Sequence, residues 1–294
     1  MDQDERYVGL VAADRASVFF DGTLTDPQLD HPEGLAVHRD GSIWCGGERG
    51  QIYRIDPDGS SLDEVASTGG FCLGMAFDRN DDLFVCDLKH AAVMKVETGS
   101  GRVERFSSGA PGRLFRIPNY PAFDDEGRLY VSDSHEFGRP GPGVFRIESD
   151  GSGTLWYEDD LVFANGLALD AGGSHLYVVE TFANRISRIA IRDDGTAGPC
   201  EWFAETPGAW PDGLAFDAGG NLYVGCYEPS QVLRIDRAGD VRVLFWDRSA
   251  HLLAHPTNLA FRGTAMFTAN LGRWHVTRVE AGVEGLTLPP GGWR

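Results

Sequence analysis

The sequence predicts an all-β chain folded as a six-bladed β-propeller, four antiparallel strands to a blade, with the ring closed by an N-terminal strand. Three observations lead there. One apolar motif recurs six times, starting at Glu33, Leu73, Asn119, Asn165, Asp212 and Thr257, with spacings of 40, 46, 46, 47 and 45 residues. A period in that range marks a propeller or solenoid. Each copy holds short apolar runs separated by turns, with no helical period. Glycine supplies 38 of the 294 residues, which suits a chain built on tight turns.

Taken in order, residues 1–15 carry little signal and Ser17–Asp21 reads as a strand. The first strands of the repeats are Glu33–Val37, Leu73–Phe77, Asn119–Phe123, Asn165–Leu169, Asp212–Phe216 and Thr257–Phe261. Second strands follow at Ser42–Cys45, Leu83–Cys86, Leu129–Ser132, Leu176–Val179, Leu222–Gly225 and Ala265–Thr268. Third strands follow at Gln51–Ile55, Val93–Val96, Val144–Ile147, Ile186–Ile189, Val232–Ile235 and Val276–Val279. Asp-Gly turns such as Asp58-Gly59, Asp150-Gly151 and Asp194-Gly195 then lead to a fourth strand, for example Thr154–Glu158 or Cys200–Ala204. The sixth repeat lacks that strand, with only Gly285-Leu-Thr-Leu288 after its third. Ser17–Asp21 is expected to supply it and so remove a free sheet edge, with the C-terminal segment as competitor. Residues 1–294 are expected to form a single propeller domain.

Composition narrows the function. Lys and Arg total 26 against 44 Asp and Glu, a net charge of -18, which argues against nucleic acid or an anionic membrane surface as partner. Solubility is the ordinary reading of that charge. The five cysteines form no Cys-x-x-Cys pair, which disfavours a disulfide framework and a zinc or iron–sulfur site. The acidic N-terminus has no apolar segment, and no apolar run approaches membrane-spanning length, so a cytoplasmic protein is expected.

In a propeller the first strands line the central channel, so in-phase positions form a ring. Here the ring reads Glu33, Leu73, Asn119, Asn165, Asp212 and Thr257. Any one Asp-Gly or Asn-Gly could simply shape a turn. Two carboxylates and two amides in phase point further, because like charges on one axis repel and are costly to desolvate. A bound cation compensates for both. All-oxygen ligation by Glu33, Asn119, Asn165 and Asp212 indicates one hard divalent ion, Ca²⁺ first, then Mg²⁺ or Mn²⁺, with Zn²⁺ and Fe²⁺ as further candidates.

The motifs Pro32-Glu33-Gly34, Pro118-Asn119, Ala164-Asn165-Gly166-Leu167-Ala168 and Pro211-Asp212-Gly213 resemble those of the gluconolactonase family, which includes regucalcin (senescence marker protein). The resemblance runs over roughly residues 30–282. It implies a six-bladed propeller with one divalent metal in the channel and, for most members, lactone hydrolysis. Glu33, Asn165 and Asp212 would be the metal-binding trio, and Asn119 would bind metal or substrate beside them. The family often has Asn-Asp where this chain has Asn119-Tyr120. Related propellers include diisopropyl fluorophosphatase, paraoxonase and strictosidine synthase.

The loops on the ring's face should carry the substrate contacts, for which Arg49, Asn119, Tyr120, His135, Phe182, Trp210 and Tyr227 are the candidates. His135 is a candidate proton shuttle. Arg49 is expected to pair with Glu33 or Asp87, or to meet a substrate carboxylate. The expected reaction is metal-assisted opening of a lactone or other ester, the cation acting as Lewis acid and Asp212 as general base. Direct attack by Asp212 is the variant of that mechanism. No Gly-x-Ser-x-Gly elbow occurs, which disfavours a serine hydrolase. The partner is thus a small molecule, and the aromatic loops favour an apolar lactone over a sugar lactone. Alternatives are another metal-dependent reaction on the same scaffold (phosphotriester hydrolysis, or a lyase or cyclase step) and a non-catalytic ligand-binding propeller.

Overall fold

The computed structural model of the protein describes residues 9–286. The six repeats become six antiparallel four-stranded sheets. Blade 1 runs outward through Leu35–Val37, Ile43–Gly46, Gln51–Ile55 and Leu62–Ser67. Blades 2 to 5 repeat this order from inner strands Cys72–Phe77, Pro118–Phe123, Ala164–Leu169 and Trp210–Phe216. Blade 6 takes three strands, Pro256–Arg262, Ala265–Asn270 and His275–Glu280, from the end of the chain. Its outer strand is Ala16–Asp21, with Ala16 opposite Val279 and Asp21 opposite His275. The predicted closure is therefore the observed one. Each inner strand packs against its two neighbours, and the sixth against the first.

The two ends of the chain do more than close the last sheet. Leu10 and Val11 donate backbone hydrogen bonds to Val243 and Leu244 at 3.0 and 2.9 Å, beside the outer strand of blade 5. At the other end Gly285 bridges to Asp217, and Leu286 N–H donates to the Phe216 carbonyl at 2.9 Å. Gly285 N–H also reaches the Gly263 carbonyl at 3.0 Å, so this segment ties blade 5 to blade 6 rather than serving as an outer strand. Thr287 and Leu288 lie outside the described residues. A short ribbon, Gly109–Ala110 with Arg113–Leu114, joins blades 2 and 3 and had no counterpart in the repeat pattern.

Alternating side chains of each blade face the blades on either side, so the apolar core forms as layers between consecutive blades. Leu35, Ile43 and Tyr53 of blade 1 meet Phe20, Phe267 and Val276 of blade 6. Trp44 and Ile52 meet Leu83 and Val85 between blades 1 and 2. Cys45, Cys72, Cys86 and Cys226 are buried as free thiols and Cys200 is half-buried. Many of the acidic residues work in the hairpin turns. Asp40, Asp150 and Asp194 accept the N–H groups of Ser42, Ser152 and Thr196 at 2.8, 2.9 and 3.0 Å. Such turns satisfy backbone donors that no ladder can reach, and the hydroxyl and N–H bonds hold Asp150 and Asp194 below the usual carboxylate range. Among the described residues no helix is long and apolar enough to cross a membrane.

The closing strand can be tested through Phe20, which is 8% exposed in the layer between blades 6 and 1, against Val18, which is 40% exposed on the same strand. Urea unfolding should show Phe20→Ala losing about 3–5 kcal/mol, with Val18→Ala within about 0.5 kcal/mol of the parent. Equal, small losses would mean that this strand does not hold the ring.

Candidate metal centre and active site

Five of the six ring residues sit at irregularities in the inner strands, and Glu33 lies just before the inner strand of blade 1. In blade 3 Pro118 pairs with Asp133 and Pro121 with Val131, so one extra residue is accommodated beside Asn119 and Tyr120. The same slip occurs between Cys72 and Met75, Ala164 and Leu167, Pro211 and Leu214, and Pro256 and Leu259. A bulge of this kind re-aims a side chain out of the alternating pattern, here at Leu73, Asn119, Asn165, Asp212 and Thr257. The glycine after the ring position has a different origin from a turn. A Cβ on Gly34 would collide with the Leu73 carbonyl oxygen, and one on Gly166 would lie 2.5 Å from that of Asp212. Between blades 1 and 2 and between blades 4 and 5 the inner strands approach too closely for any side chain at that position. Tyr120 and Asn258 hold that position in blades 3 and 6, and the amide of Asn258 is fully buried with neither end hydrogen-bonded.

Glu33, Asn119, Asn165, Asp212 and Thr257 meet at one cavity of about 340 Å³. All five are buried, and Glu33 Oε2, Asn119 Oδ1, Asn165 Oδ1 and Asp212 Oδ1 have no hydrogen-bond partner. Each such atom costs about 1–3 kcal/mol, and a charged one more, unless something satisfies it. Each amide is oriented by a hydroxyl of its own blade that is anchored on a carbonyl of the next. Ser134 Oγ donates to the Ala164 carbonyl at 2.7 Å, so it can only accept from Asn119 Nδ2, at 3.0 Å. Thr181 Oγ1 likewise donates to the Pro211 carbonyl at 2.8 Å and accepts from Asn165 Nδ2 at 3.2 Å. Each amide thus spends a nitrogen on its neighbour and leaves its oxygen free. Thr257 Oγ1 donates to the Glu33 carbonyl at 2.8 Å and joins blade 6 to blade 1.

Electrostatics match a cation. Burial, and then the negative charge of Asp212, hold Glu33 well above its usual range, with Thr257 opposing. Burial pushes Asp212 up to about 7, with the Asn165 side chain opposing it. Among the described residues no group of three or more His, Cys, Asp or Glu side chains is placed to hold a metal ion, so the candidate donor set is two carboxylates and two amides. Four unsatisfied oxygens around one cavity fit a hard, oxygen-seeking divalent ion.

Of the predicted substrate contacts, Asn119, Phe182, Trp210 and Tyr227 line the cavity. Arg49 does not: its Nε donates to Asp30 Oδ2 at 3.0 Å, and it pairs with neither Glu33 nor Asp87. Asp30 sits beside it and also takes Gln51, whereas Asp87 is spent on Thr68 and the His90 N–H. His135 lies outside the lining, its Nε2 3.3 Å from Arg116 Nη1 and its ring pressed against Gly141. Its positive φ of 63° and the bond from its N–H to Asp133 Oδ1 turn it away. Tyr120 lines the other end of the channel, an apolar cavity of about 550 Å³. The bulge that aims Asn119 one way sends its neighbour the other, and burial with the charges of Asp212 and Glu33 raises its phenol.

Several lining residues escaped the sequence reading. Phe163 and Ile117 stand two residues before Asn165 and Asn119, in phase with Phe71 and Trp210. The repeat that exposed the ring would have found them. Ser134 and Thr181 had no such signal, because their role depends on the neighbouring blade.

Fold and site together define a class: a six-bladed propeller with buried, unpaired carboxylate and amide oxygens in its channel. The model of the SMP-30/gluconolactonase/LRE-like region matches residues 63–270, and the chain belongs to that family. A strictosidine synthase-like N-terminal model matches residues 23–55. The chain is 24% identical over 302 residues to strictosidine synthase-like protein 6 of Arabidopsis thaliana, covering 86% of this chain and 79% of that one. It is 28% identical over 222 residues to lactonase drp35 of Staphylococcus aureus, covering 70% and 67%. The solved gluconolactonase XC5397 of Xanthomonas campestris superposes with a TM-score of 0.75 at 20% identity, over 92% of this chain and 89% of that one.

Two predictions follow from the ring. Asp212 titrates near 3.8 when unfolded and about 7 when folded, so without cation the folded protein binds more protons across that window. Its stability should therefore fall as pH rises from about 4 to about 7, while the gain from added Ca²⁺ grows over the same interval. Melting temperatures with EDTA and with Ca²⁺ measure both, and Asp212→Asn should flatten the EDTA curve. Ser134→Ala and Thr181→Val keep every charge but release an amide to turn. Each should weaken Ca²⁺ binding by about 10–100-fold in calorimetry; unchanged affinity would mean that the amide oxygens are not ligands.

Proposed function

We propose that the protein is a hydrolase that opens a lactone ring with the help of one divalent cation, Ca²⁺ in first place. The observation that supports this most is the set of four buried, unpartnered oxygens from Glu33, Asn119, Asn165 and Asp212 at one apolar cavity. These four residues would hold the ion. When bound, it draws electron density from the ester carbonyl and offsets the charge developing on that oxygen.

Asp212 acts on the water. Its carboxylate stands at the cavity and takes a proton as the water oxygen bonds to the acyl carbon. The ring C–O bond then breaks, and the departing oxygen recovers the proton from Asp212. One water is consumed, a hydroxy acid leaves, and Asp212 returns to its starting state. Glu33 mainly supplies charge. The amides of Asn119 and Asn165 add oxygen without further repulsion, and their bonds to Ser134 and Thr181 hold them ready. The lactonase name of the Staphylococcus aureus relative agrees with this reading.

A second reading, a lyase or cyclase step on the same scaffold, draws on the strictosidine synthase-like relatives. Screening lactones and phosphotriesters with Ca²⁺, Mn²⁺ and Mg²⁺, and with EDTA, separates them: the hydrolase reading requires hydroxy-acid formation that EDTA abolishes. Asp212→Asn should then lose about 10²–10⁴-fold in kcat even at saturating cation. Glu33→Gln should recover a substantial part of its activity as cation is raised. Near-parental kcat for cation-saturated Asp212→Asn would remove Asp212 as the base.

A further inference from the structure

We infer that the cavity selects a lactone carrying an aryl or branched alkyl substituent and rejects polyhydroxylated sugar lactones. This rests on the lactone-hydrolase reading above and adds the substrate class. A sugar lactone needs a hydrogen-bond partner for each hydroxyl it gives up to the protein, because a buried polar group without one is costly. The cavity has few to offer. The amide nitrogens of Asn119 and Asn165 are turned to Ser134 and Thr181. The hydroxyls of Thr181 and Thr257 are spent on the carbonyls of Pro211 and Glu33. The fully buried oxygens without a partner are the four proposed to hold the cation. No Lys, Arg or His is among the lining residues, and the donors that remain are the phenol of Tyr227, the indole N–H of Trp210 and the second N–H of each amide.

The walls, in contrast, are built for carbon. Phe137, Phe163, Phe182 and Trp210 form a continuous arc on blades 3 to 5. Ring centroids are 4.8 Å apart for Phe137 and Phe163, 4.6 Å for Phe163 and Phe182, and 6.1 Å for Phe182 and Trp210. Packing alone would bury such rings, yet Phe137, Phe182 and Trp210 are 68%, 37% and 45% exposed. A contiguous exposed apolar patch at the mouth of a cavity marks a ligand surface. With the ester carbonyl over the polar ring, a substituent on the lactone would lie against this arc. A volume of about 340 Å³ is at the small end for ligand sites, which suits one ring plus its substituent rather than a long chain.

The test uses Ca²⁺-loaded full-length protein and three lactones of one ring size: γ-phenyl-γ-butyrolactone, an aldonic acid 1,4-lactone, and unsubstituted γ-butyrolactone. The phenyl lactone should exceed the sugar lactone in kcat/KM by at least about 100-fold. Phe182→Ala and Trp210→Ala change exposed residues, so the variants should fold, and each should cut the phenyl-to-unsubstituted ratio by about 10-fold. The matching lactam, 5-phenylpyrrolidin-2-one, gives a readout without turnover: calorimetry should show binding to the parent and to Asp212→Asn, weakened in both aromatic variants. A sugar lactone hydrolysed as well as the phenyl lactone overturns the inference and leaves the hydrolase reading standing. Lactam binding that needs Phe182 and Trp210, with no lactone hydrolysed, keeps the apolar specificity and sinks the hydrolase reading. No lactam binding and no preference for the phenyl lactone overturns the inference outright.

Discussion

Inner strands in this propeller approach one another so closely that a Cβ on Gly34 would strike the Leu73 carbonyl and one on Gly166 that of Asp212. Much else depends on that approach. It draws the ring residues of six blades into one small space and keeps water from solvating them. Bulges beside the glycines turn Asn119, Asn165 and Asp212 out of the strand pattern and into that space. Two carboxylates are thereby buried together, and desolvation is the first cause of their raised pKa values, with the charge of Asp212 adding to it at Glu33. The same residue types in the hairpin turns behave oppositely. There the chain surrounds Asp150 and Asp194 with donors in water, and their carboxyls are held low.

Closure of the ring and construction of the site are one problem. Hydroxyls at the ring also join the blades: Ser134 links blade 3 to blade 4, Thr181 links 4 to 5, and Thr257 links 6 to 1. A loosened blade would therefore disturb the amides it supports before it disturbed the core layers, which are set farther from the axis. The outer strand Ala16–Asp21 contributes at a distance, by completing blade 6 and the layer that backs Leu35 and Ile43 beside Glu33.

The molecule divides its channel between two chemistries. At the start of the inner strands lie the unpaired oxygens and the aromatic arc. At their far end lies a larger apolar cavity with Tyr120, Phe123, Phe216 and Leu286 in its walls. Tyr120, placed where four blades have glycine, stands between them. Membership of the SMP-30/gluconolactonase/LRE-like family accounts for the scaffold. The arc of Phe137, Phe163, Phe182 and Trp210 lines the mouth of the smaller cavity with exposed aromatic surface.

What the sequence determined by itself was everything that repeats. A period near the length of one blade set the number of blades, the four strands in each and the shortage that the N-terminal strand fills. In-phase reading also found Glu33, Asn119, Asn165 and Asp212, because a closed ring turns equal positions in sequence into neighbours around an axis. The tertiary structure alone decided which loop residues face the cavity. Arg49, His135 and Tyr120 stand in the right loops and strands, yet Asp30, Arg116 and a bulge direct them elsewhere. The roles of Ser134 and Thr181 were likewise out of reach, since a hydroxyl orients an amide only when a carbonyl of the next blade takes its proton. Periodicity encodes which residues share a level, but the direction of a side chain depends on its nearest competing charge or donor, and those come from distant parts of the chain.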